Sequence, residues 1–431
     1  MNESSGRSVE AGAIGRPLPR KEDLRLLTGG GRFSDDFNMT GQVYAAMARS
    51  PYPHARILRI DSARSRAMAG VVGVYSGADC AADGLGAIPH NPLPSTRDDM
   101  KLTGPGGGRI FEGPHWLLPT DKARHAGEAV AMVVAETREQ AADAAENLEI
   151  EYEELPWVTH SEDALAGGKG APSVWDEARD NVLVDTVFGD REATDRAFAE
   201  ADHVVKMKFQ IGRCTAVAIE PRAALASYDA GTRRYTLYAG GGGAVRYKKD
   251  LASVLGIEPR DLRVVCRDVG GNFGSKNRVY VEYGLALWAS RKLGRPVKFT
   301  ASRSEAFLSD YQGRDLVTEV ELALRVDGKF LAMRASNLSN VGARCISLSP
   351  LSKGSGLITG CYDIPAATLR SRAVFTTTAP TTPYRSSGRP EVNFAIERLI
   401  DTAAAELGMD RIELRRKNLV QIGRASCRER V

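Results

Sequence analysis

Residues Asp268 to Lys276 read DVGGNFGSK, between an apolar strand-like run, LRVVC, and an apolar helix-like run, VYVEYGLALWASRKL. A strand, a glycine turn and a helix place backbone N–H groups where an anion can sit. Two familiar phosphate cradles are excluded by spacing. A P-loop needs G-x-x-x-x-G-K-[ST], and here Ser275 separates Gly274 from Lys276. A dinucleotide fingerprint needs G-x-G-x-x-G with an acidic residue about 20 residues further on, and neither requirement is met. On residue types alone the stretch is either an anion cradle or a tight strand-to-helix turn.

Three other stretches carry polar chemistry. PYRSSGRPE, Pro383 to Glu391, is a polar turn with two arginines between a threonine-rich strand and a long helix. Its arginines either clamp an anion, or Arg389 and Glu391 cap and solvate the helix start. In AIEPRAALA, Glu220 and Arg222 flank a proline before a strand. A carboxylate and a guanidinium that close suggest a buried structural ion pair or a catalytic one. The glycine run at 240–243 lets a ligand approach the backbone, or is a plain turn. Nucleophilic and metal-ligand patterns are missing. There is no G-x-S-x-G elbow and no H-E-x-x-H spacing. All six histidines lie at or before His203, which leaves most of the second half without a histidine base; His125 and His203 beside apolar strands read as structural.

The elements that position these residues follow from periodicity. Residues 1–18 read as a flexible arm. From Gln42 short strands and helices alternate: QVYAAMARS, ARILRID, VVGVYS and GEAVAMVVAE as strands, TREQAADAAENL as a helix capped by Thr137, and EIEYEELP as a closing strand. The glycine- and proline-rich region from Gly84 to Leu118 reads as a long excursion, a lid or an interface loop. A first unit of 19–160 and a linker at 161–172 precede a second unit of 173–421. There, alternation on both sides of Asp327-Gly328 marks a hairpin. EVNFAIERLIDTAAAELG is a long amphipathic helix and DRIELRRKNL a last short one. The fold class is α+β, without the regular βαβ alternation of a doubly wound sheet.

At 431 residues, 43% hydrophobic and 26% charged, the chain can bury a large core. A net charge of +4 is too mild to argue for nucleic-acid or membrane binding. Six cysteines, scattered singly with no C-x-x-C pair, argue against a disulfide framework or an iron–sulfur site made by this chain alone. No Sec-type apolar segment opens the sequence, and a reducing cytoplasm fits best.

Taken in order, these segments resemble the molybdenum-binding large subunit of the xanthine dehydrogenase / aldehyde oxidase family, to which carbon monoxide dehydrogenase large subunits also belong. The resemblance runs from about Gly15 to Gln421. GEAVAMVVAETREQAADAAENLEIEYEELP is similar to the end of the family's α/β hammerhead domain. IEPRAALA, DVGGNFGSK, PVKFTASRSEAFLSDYQGRD, YRSSGRPE and AIERLIDTAAAELGMDRIELRRKNL are similar to motifs of its first molybdopterin-cofactor-binding domain. The resemblance implies a hammerhead domain over 19–160 and a cofactor-binding domain over 173–421. It implies Gly270, Gly271, Phe273 and Gly274 as backbone contacts to the molybdenum centre of a molybdopterin cytosine dinucleotide, with no side-chain metal ligand. It also implies Arg385 and Ser386 at the cofactor, and Arg385 and Gly388 at the substrate site. Glu220 and Arg222 match the family's E-P-R motif, with a structural role. The implied reaction is oxidative hydroxylation of an aldehyde, a purine or another electron-poor carbon. Electrons leave through 2Fe–2S and FAD groups on a small and a medium partner subunit, in a dimer of heterotrimers.

Ser386 stands where carbon monoxide dehydrogenases have cysteine, which disfavours CO oxidation. Gly240 to Gly243 stand where many relatives have a glutamine near the metal. Family subunits are about twice as long, with the catalytic glutamate in the second half, so no catalytic residue is expected in this sequence. IGRASCRERV, 422–431, reads as one frame of a sequencing adapter rather than a basic tail. This chain is thus expected to be a fragment of a molybdenum hydroxylase large subunit, inactive alone. The alternatives are a non-catalytic module that captures cofactor or partner subunits, and a nucleotide-binding protein.

Overall fold

The computed structural model describes residues 14–93, 99–165 and 170–421. The ten-residue tail, most of the amino-terminal arm and part of the expected linker lie outside them. The fold is mixed helix and sheet, as expected. A seven-stranded sheet runs in spatial order Leu262–Val265, Arg234–Ala239, Ala223–Asp229, Val297–Thr300, Val43–Arg49, Ala129–Ala135 and Val71–Ser76. It therefore joins strands from both sides of residue 160. The junction is the parallel pairing of Val43 with Val297 and Ala45 with Phe299. A five-stranded sheet orders Val182–Gly189, Ala366–Phe375, Phe330–Gly342, Gly313–Leu324 and His203–Cys214. The hairpin expected at Asp327-Gly328 closes its antiparallel pair Gly313–Leu324 and Phe330–Gly342, with Gly328 at φ 82°. Left-handed backbone at a hairpin turn selects glycine.

Ala129–Ala135 is buried along its whole length because both faces are covered. Met132 and Val134 join the largest apolar cluster, with Tyr283, Leu285 and Phe299, while Val133 packs with Leu148 under the helix Arg138–Glu146. Thr137 caps that helix, accepting the Gln140 N–H at 3.2 Å. The long amphipathic helix Arg389–Glu406 buries Val392, Ile396, Leu399 and Ala403 against the second sheet. Among the described residues no helix is long and apolar enough to cross a membrane.

The described residues of the glycine- and proline-rich excursion do not form a surface lid. Ile88 and Leu117 enter the first core, and Leu102 and Ile110 enter a second one. His90 Nε2 and His115 Nδ1 lie 2.8 Å apart inside it. Burial pushes the His90 ring down to about 3 and holds His115 well below the usual histidine range, so both rings are neutral at physiological pH. His125 is likewise buried with its pKa lowered by burial, in keeping with a structural role.

One buried carboxylate is poorly satisfied. Asp250, in the helix Ala244–Leu255, is 5% exposed. Its nearest cation, Arg246 Nε, is 3.4 Å away, and neither that atom nor Asp250 Oδ2 makes a hydrogen bond among the described residues. Burial raises the Asp250 carboxyl to about 6, with Arg246 opposing only in part. The folded state then binds this proton more tightly than the unfolded chain. Stability falls as pH rises from the ordinary carboxylate range through about 6. Asp250→Asn is expected to stabilise the chain by about 1–3 kcal/mol at pH 7.5 and by much less at pH 4. Thermal melts at both pH values measure this; a lower melting temperature at pH 7.5 would mean that the Arg246 pair outweighs burial.

Candidate functional site

The glycine stretch leaves the strand Leu262–Val265 and turns twice, with Gly271 at φ 115°, Phe273 at 51° and Gly274 at 100°. A short 3₁₀ turn, Ser275–Asn277, follows, and the helix Val281–Leu293 begins only after Tyr280. The expected strand–turn–helix cradle is thus corrected in one respect: the exposed donors are loop amides, not a helix N-terminus. Asn272 organises the turn. Its Oδ1 accepts the Gly274 N–H at 3.0 Å, and its Nδ2 donates to Asn277 at 2.8 Å. Gly270 donates its N–H to Glu220. The amides of Gly271, Asn272 and Phe273 have no acceptor among the described residues.

The arginine loop lies against this turn. Arg385 N–H donates to the Phe273 carbonyl at 2.9 Å. A Cβ on Gly274 would stand 2.0 Å from the Pro383 carbonyl oxygen. Ser386, Ser387 and Gly388 follow in left-handed backbone at φ 72°, 46° and 84°, and Gly388 is the N-cap of the helix Arg389–Glu406. Such conformations are unfavourable for serine and phenylalanine, by about 1–3 kcal/mol each, and cluster at functional sites. Arg314 holds the loop from beneath. It pairs with the buried Glu391 at 2.9 Å, donates to the Arg385 carbonyl at 2.8 Å and lies 4.9 Å from the Tyr384 ring centroid. Glu391 is therefore a buried ion-pair partner, not a solvated cap, and Arg389 donates to the Ser386 carbonyl at 3.1 Å. The Arg385 side chain is exposed and makes no ion pair among the described residues; the amides of Ser386 and Gly388 have no acceptor there.

Glu220 and Arg222 do not pair with each other. Two residues apart across Pro221, with Glu220 in a bend, they serve different partners. Arg222 is 1% exposed and reaches Asp310, Glu282 at 2.9 Å and Ser309 at 2.9 Å, with its guanidinium 4.2 Å from the Tyr280 ring centroid. Glu220 turns to the glycine stretch. The glycine run at 240–243 packs there too. Gly242 N–H donates to the Lys276 carbonyl at 3.0 Å, and a Cβ at Gly242 would stand 1.7 Å from Asn277 Oδ1. Of the two readings of this run, ligand approach or plain turn, the structure favours the turn over Gly240 to Gly242, where Ser34, Tyr247 and Asn277 occupy the space a Cβ would take, while Gly243 has nothing within 4 Å.

The seven sequence-predicted residues thus meet in two adjoining loops. Gly270 faces Glu220, whereas Gly271 and Phe273 contribute free amides. Gly274 and Arg385 form the junction, and Ser386 and Gly388 shape the second loop. Sequence reasoning missed Asn272, Arg314 and Lys276; the only signal was polar character inside and beside glycine turns. Among the described residues no group of three or more His, Cys, Asp or Glu side chains is placed to hold a metal. Free amides and an exposed guanidinium suit an anionic group that carries its metal on its own ligands.

Two family models match the chain: an aldehyde oxidase and xanthine dehydrogenase a/b hammerhead domain over residues 28–156, and a molybdopterin cofactor-binding domain over 174–419. The chain is 34% identical to the 6-hydroxypseudooxynicotine dehydrogenase complex subunit gamma of Paenarthrobacter nicotinovorans, over 94% of this chain and 50% of that protein. It is 32% identical to the carbon monoxide dehydrogenase large chain of Afipia carboxidovorans, over 97% of this chain and 51% of that one. Quinoline 2-oxidoreductase from Pseudomonas putida 86 superposes with a TM-score of 0.86 at 35% identity, covering 95% of this chain and 50% of that one. The chain spans about half the length of each of these two curated relatives.

Proposed function

This chain belongs to the aldehyde oxidase and xanthine dehydrogenase family of molybdenum-containing large subunits, and from that premise we propose that its two loops hold the molybdenum end of a molybdopterin cytosine dinucleotide. The enzyme it serves oxidatively hydroxylates an aldehyde, a purine or a related electron-poor carbon. The observation that carries this reading is the set of unpaired amides at Gly271, Asn272 and Phe273, joined through Arg385 N–H to a second loop with unpaired amides of its own. When bound, the cofactor supplies the redox centre at which the carbon is oxidised. The chain's own residues bind and orient it. Fixed amide dipoles stabilise negative charge on its oxygen atoms without reorganising. Arg385 adds a positive charge at the rim. Phe273, 46% exposed beside its own free amide, offers apolar surface that keeps water from the bound group.

The proton acceptor for the reaction is expected outside this sequence, so the described chain is proposed to bind rather than to catalyse alone. Electrons pass to 2Fe–2S and FAD groups on small and medium partner subunits, in a cytoplasmic dimer of heterotrimers. The relatives' names, a complex subunit and a large chain, support the presence of partner subunits. In this reading the proposed hammerhead unit is 19–160 and the proposed cofactor-binding unit 173–421.

The test is to purify the chain from a host that makes the cofactor, then measure molybdenum and the fluorescence of its oxidised pterin. Both are expected, in a constant ratio to each other. Absence of both overturns the reading. Because the proton acceptor is expected outside this sequence, the chain is expected to show no aldehyde- or purine-dependent dye reduction even with partner subunits added, and dye reduction by it would overturn that part of the reading.

A further inference from the structure

Glu220 lies outside both loops, yet its two carboxylate oxygens hold different segments. Oε2 accepts the Gly270 N–H at 2.8 Å, and Oε1 accepts the Ser34 N–H at 2.9 Å. The backbone doubles the first contact, because Glu220 N–H donates to the Gly270 carbonyl at 3.0 Å. Lys276, from the far end of the glycine stretch and 1% exposed, donates to the Glu220 carbonyl at 2.6 Å and stands 3.4 Å from Oε2. Contact is close: a Cβ on Gly270 would stand 2.4 Å from the Glu220 Cβ. Beyond Ser34, the amino-terminal strap is pinned to the same stretch through Asp268. That carboxylate takes Arg25 at 2.5 and 2.7 Å and the Arg32 N–H at 2.7 Å. Glu220 is itself held firm, since Pro221 restricts the backbone and Arg222 is locked in its buried network.

The free amides begin at Gly271, the residue after the one Glu220 grips. We infer that Glu220 is a positioning residue: its carboxylate ties Gly270, Lys276 and the Ser34 strap into one unit, and so sets where the Gly271, Asn272 and Phe273 amides point. This rests on the function proposed above, since it assigns the aim of those amides to a bound anionic group. Amides that bind such a group without reorganising need a rigid anchor on the side away from it. A glutamine has nearly the same shape but one acceptor oxygen, so it must release either Ser34 or Gly270. It also leaves the buried Lys276 ammonium without its carboxylate.

The experiment is hydrogen exchange by mass spectrometry on the 431-residue chain, wild type against Glu220→Gln, together with pterin content. Peptides covering 30–38 and 268–278 are expected to exchange at least about tenfold faster in the variant, with Ala129–Ala135 unchanged. Pterin content is expected to fall at least about fivefold. If Glu220→Gln loosens the whole chain, Glu220→Gln with Lys276→Met removes the stranded charge. It is expected to restore exchange in Ala129–Ala135 but neither loop protection nor pterin. Wild-type exchange in 268–278 overturns the inference, as does full pterin retention in a variant whose loop exchanges fast. A wild-type chain that binds no pterin sinks the proposed function instead, and the exchange data alone then decide whether Glu220 holds the loop.

Discussion

Replacing Arg222 with methionine is expected to destabilise the chain by about 3–5 kcal/mol at pH 7, the scale for removing one partner from a buried ion pair. The Arg222 side chain is fully buried, and its partners Glu282 and Asp310 are 1% and 7% exposed. Glu282 keeps Arg49 Nη2 at 2.6 Å after the change, whereas Asp310 has no other ion-pair partner among the described residues. Burial pushes the Glu282 carboxyl upward, but Arg222 and Arg49 outweigh it and hold it at about 2. With its folded pKa below the unfolded value, Glu282 contributes stability that is present above the ordinary carboxylate range and lost as pH falls toward about 2. In the variant much of that contribution disappears, and Asp310 becomes a buried carboxylate that gains by taking up a proton. The gap between wild type and variant should therefore narrow as pH falls from 7 through the ordinary carboxylate range to about 3. Urea unfolding at the two pH values measures it. Adding Asp310→Asn should recover part of the loss, because the stranded charge goes with it. A loss below about 1 kcal/mol at pH 7 would mean that the network stabilises little beyond what packing supplies.

Local order was legible in the sequence wherever neighbours along the chain decide it. The Asp327-Gly328 hairpin, the Thr137 cap and the helix ending before Gly408 follow from residues within a few positions of one another. The glycine stretch was visible for the same reason, since a dense glycine cluster between two apolar runs marks an unusual backbone. What was not legible depends on partners far away in the chain. Glu220 meets Ser34 across 186 positions, and Arg222 meets Asp310 across 88. No spacing rule reaches that far, so a carboxylate and a guanidinium two residues apart looked like each other's partner. The excursion at 84–118 failed differently. Its glycines and prolines argue for a surface loop, while Ile88, Leu102, Ile110 and Leu117 fall in two cores without any period that a pattern search can find. The helix start at Val281 was also misplaced toward the glycines, because Tyr280 and Val279 are buried and read as helical although they sit in the non-helical segment before it, with Tyr280 extended.

Gly274→Ala should produce the largest loss at the proposed site, and its two causes can be separated. Gly274 has φ 100°, which an L side chain resists by roughly 1–2 kcal/mol. Its Cβ position also lies 2.0 Å from the Pro383 carbonyl oxygen and 2.8 Å from the carbonyl carbon. Those atoms are backbone and cannot swing aside, so the arginine loop must move away, adding about 1–3 kcal/mol. Gly107 provides the control. It has φ 80° with nothing within 4 Å of its Cβ position, so Gly107→Ala carries the conformational term without the clash. Gly274→Ala is expected to lower the melting temperature more than Gly107→Ala and to reduce co-purified pterin at least about tenfold, with Gly107→Ala retaining pterin. The pterin loss has a local cause. Moving Pro383 draws Arg385 N–H from the Phe273 carbonyl, the backbone link that holds the two sets of free amides side by side. Pterin retained by Gly274→Ala at the wild-type level would show that one loop suffices, and the junction would then lose its place in the proposed site.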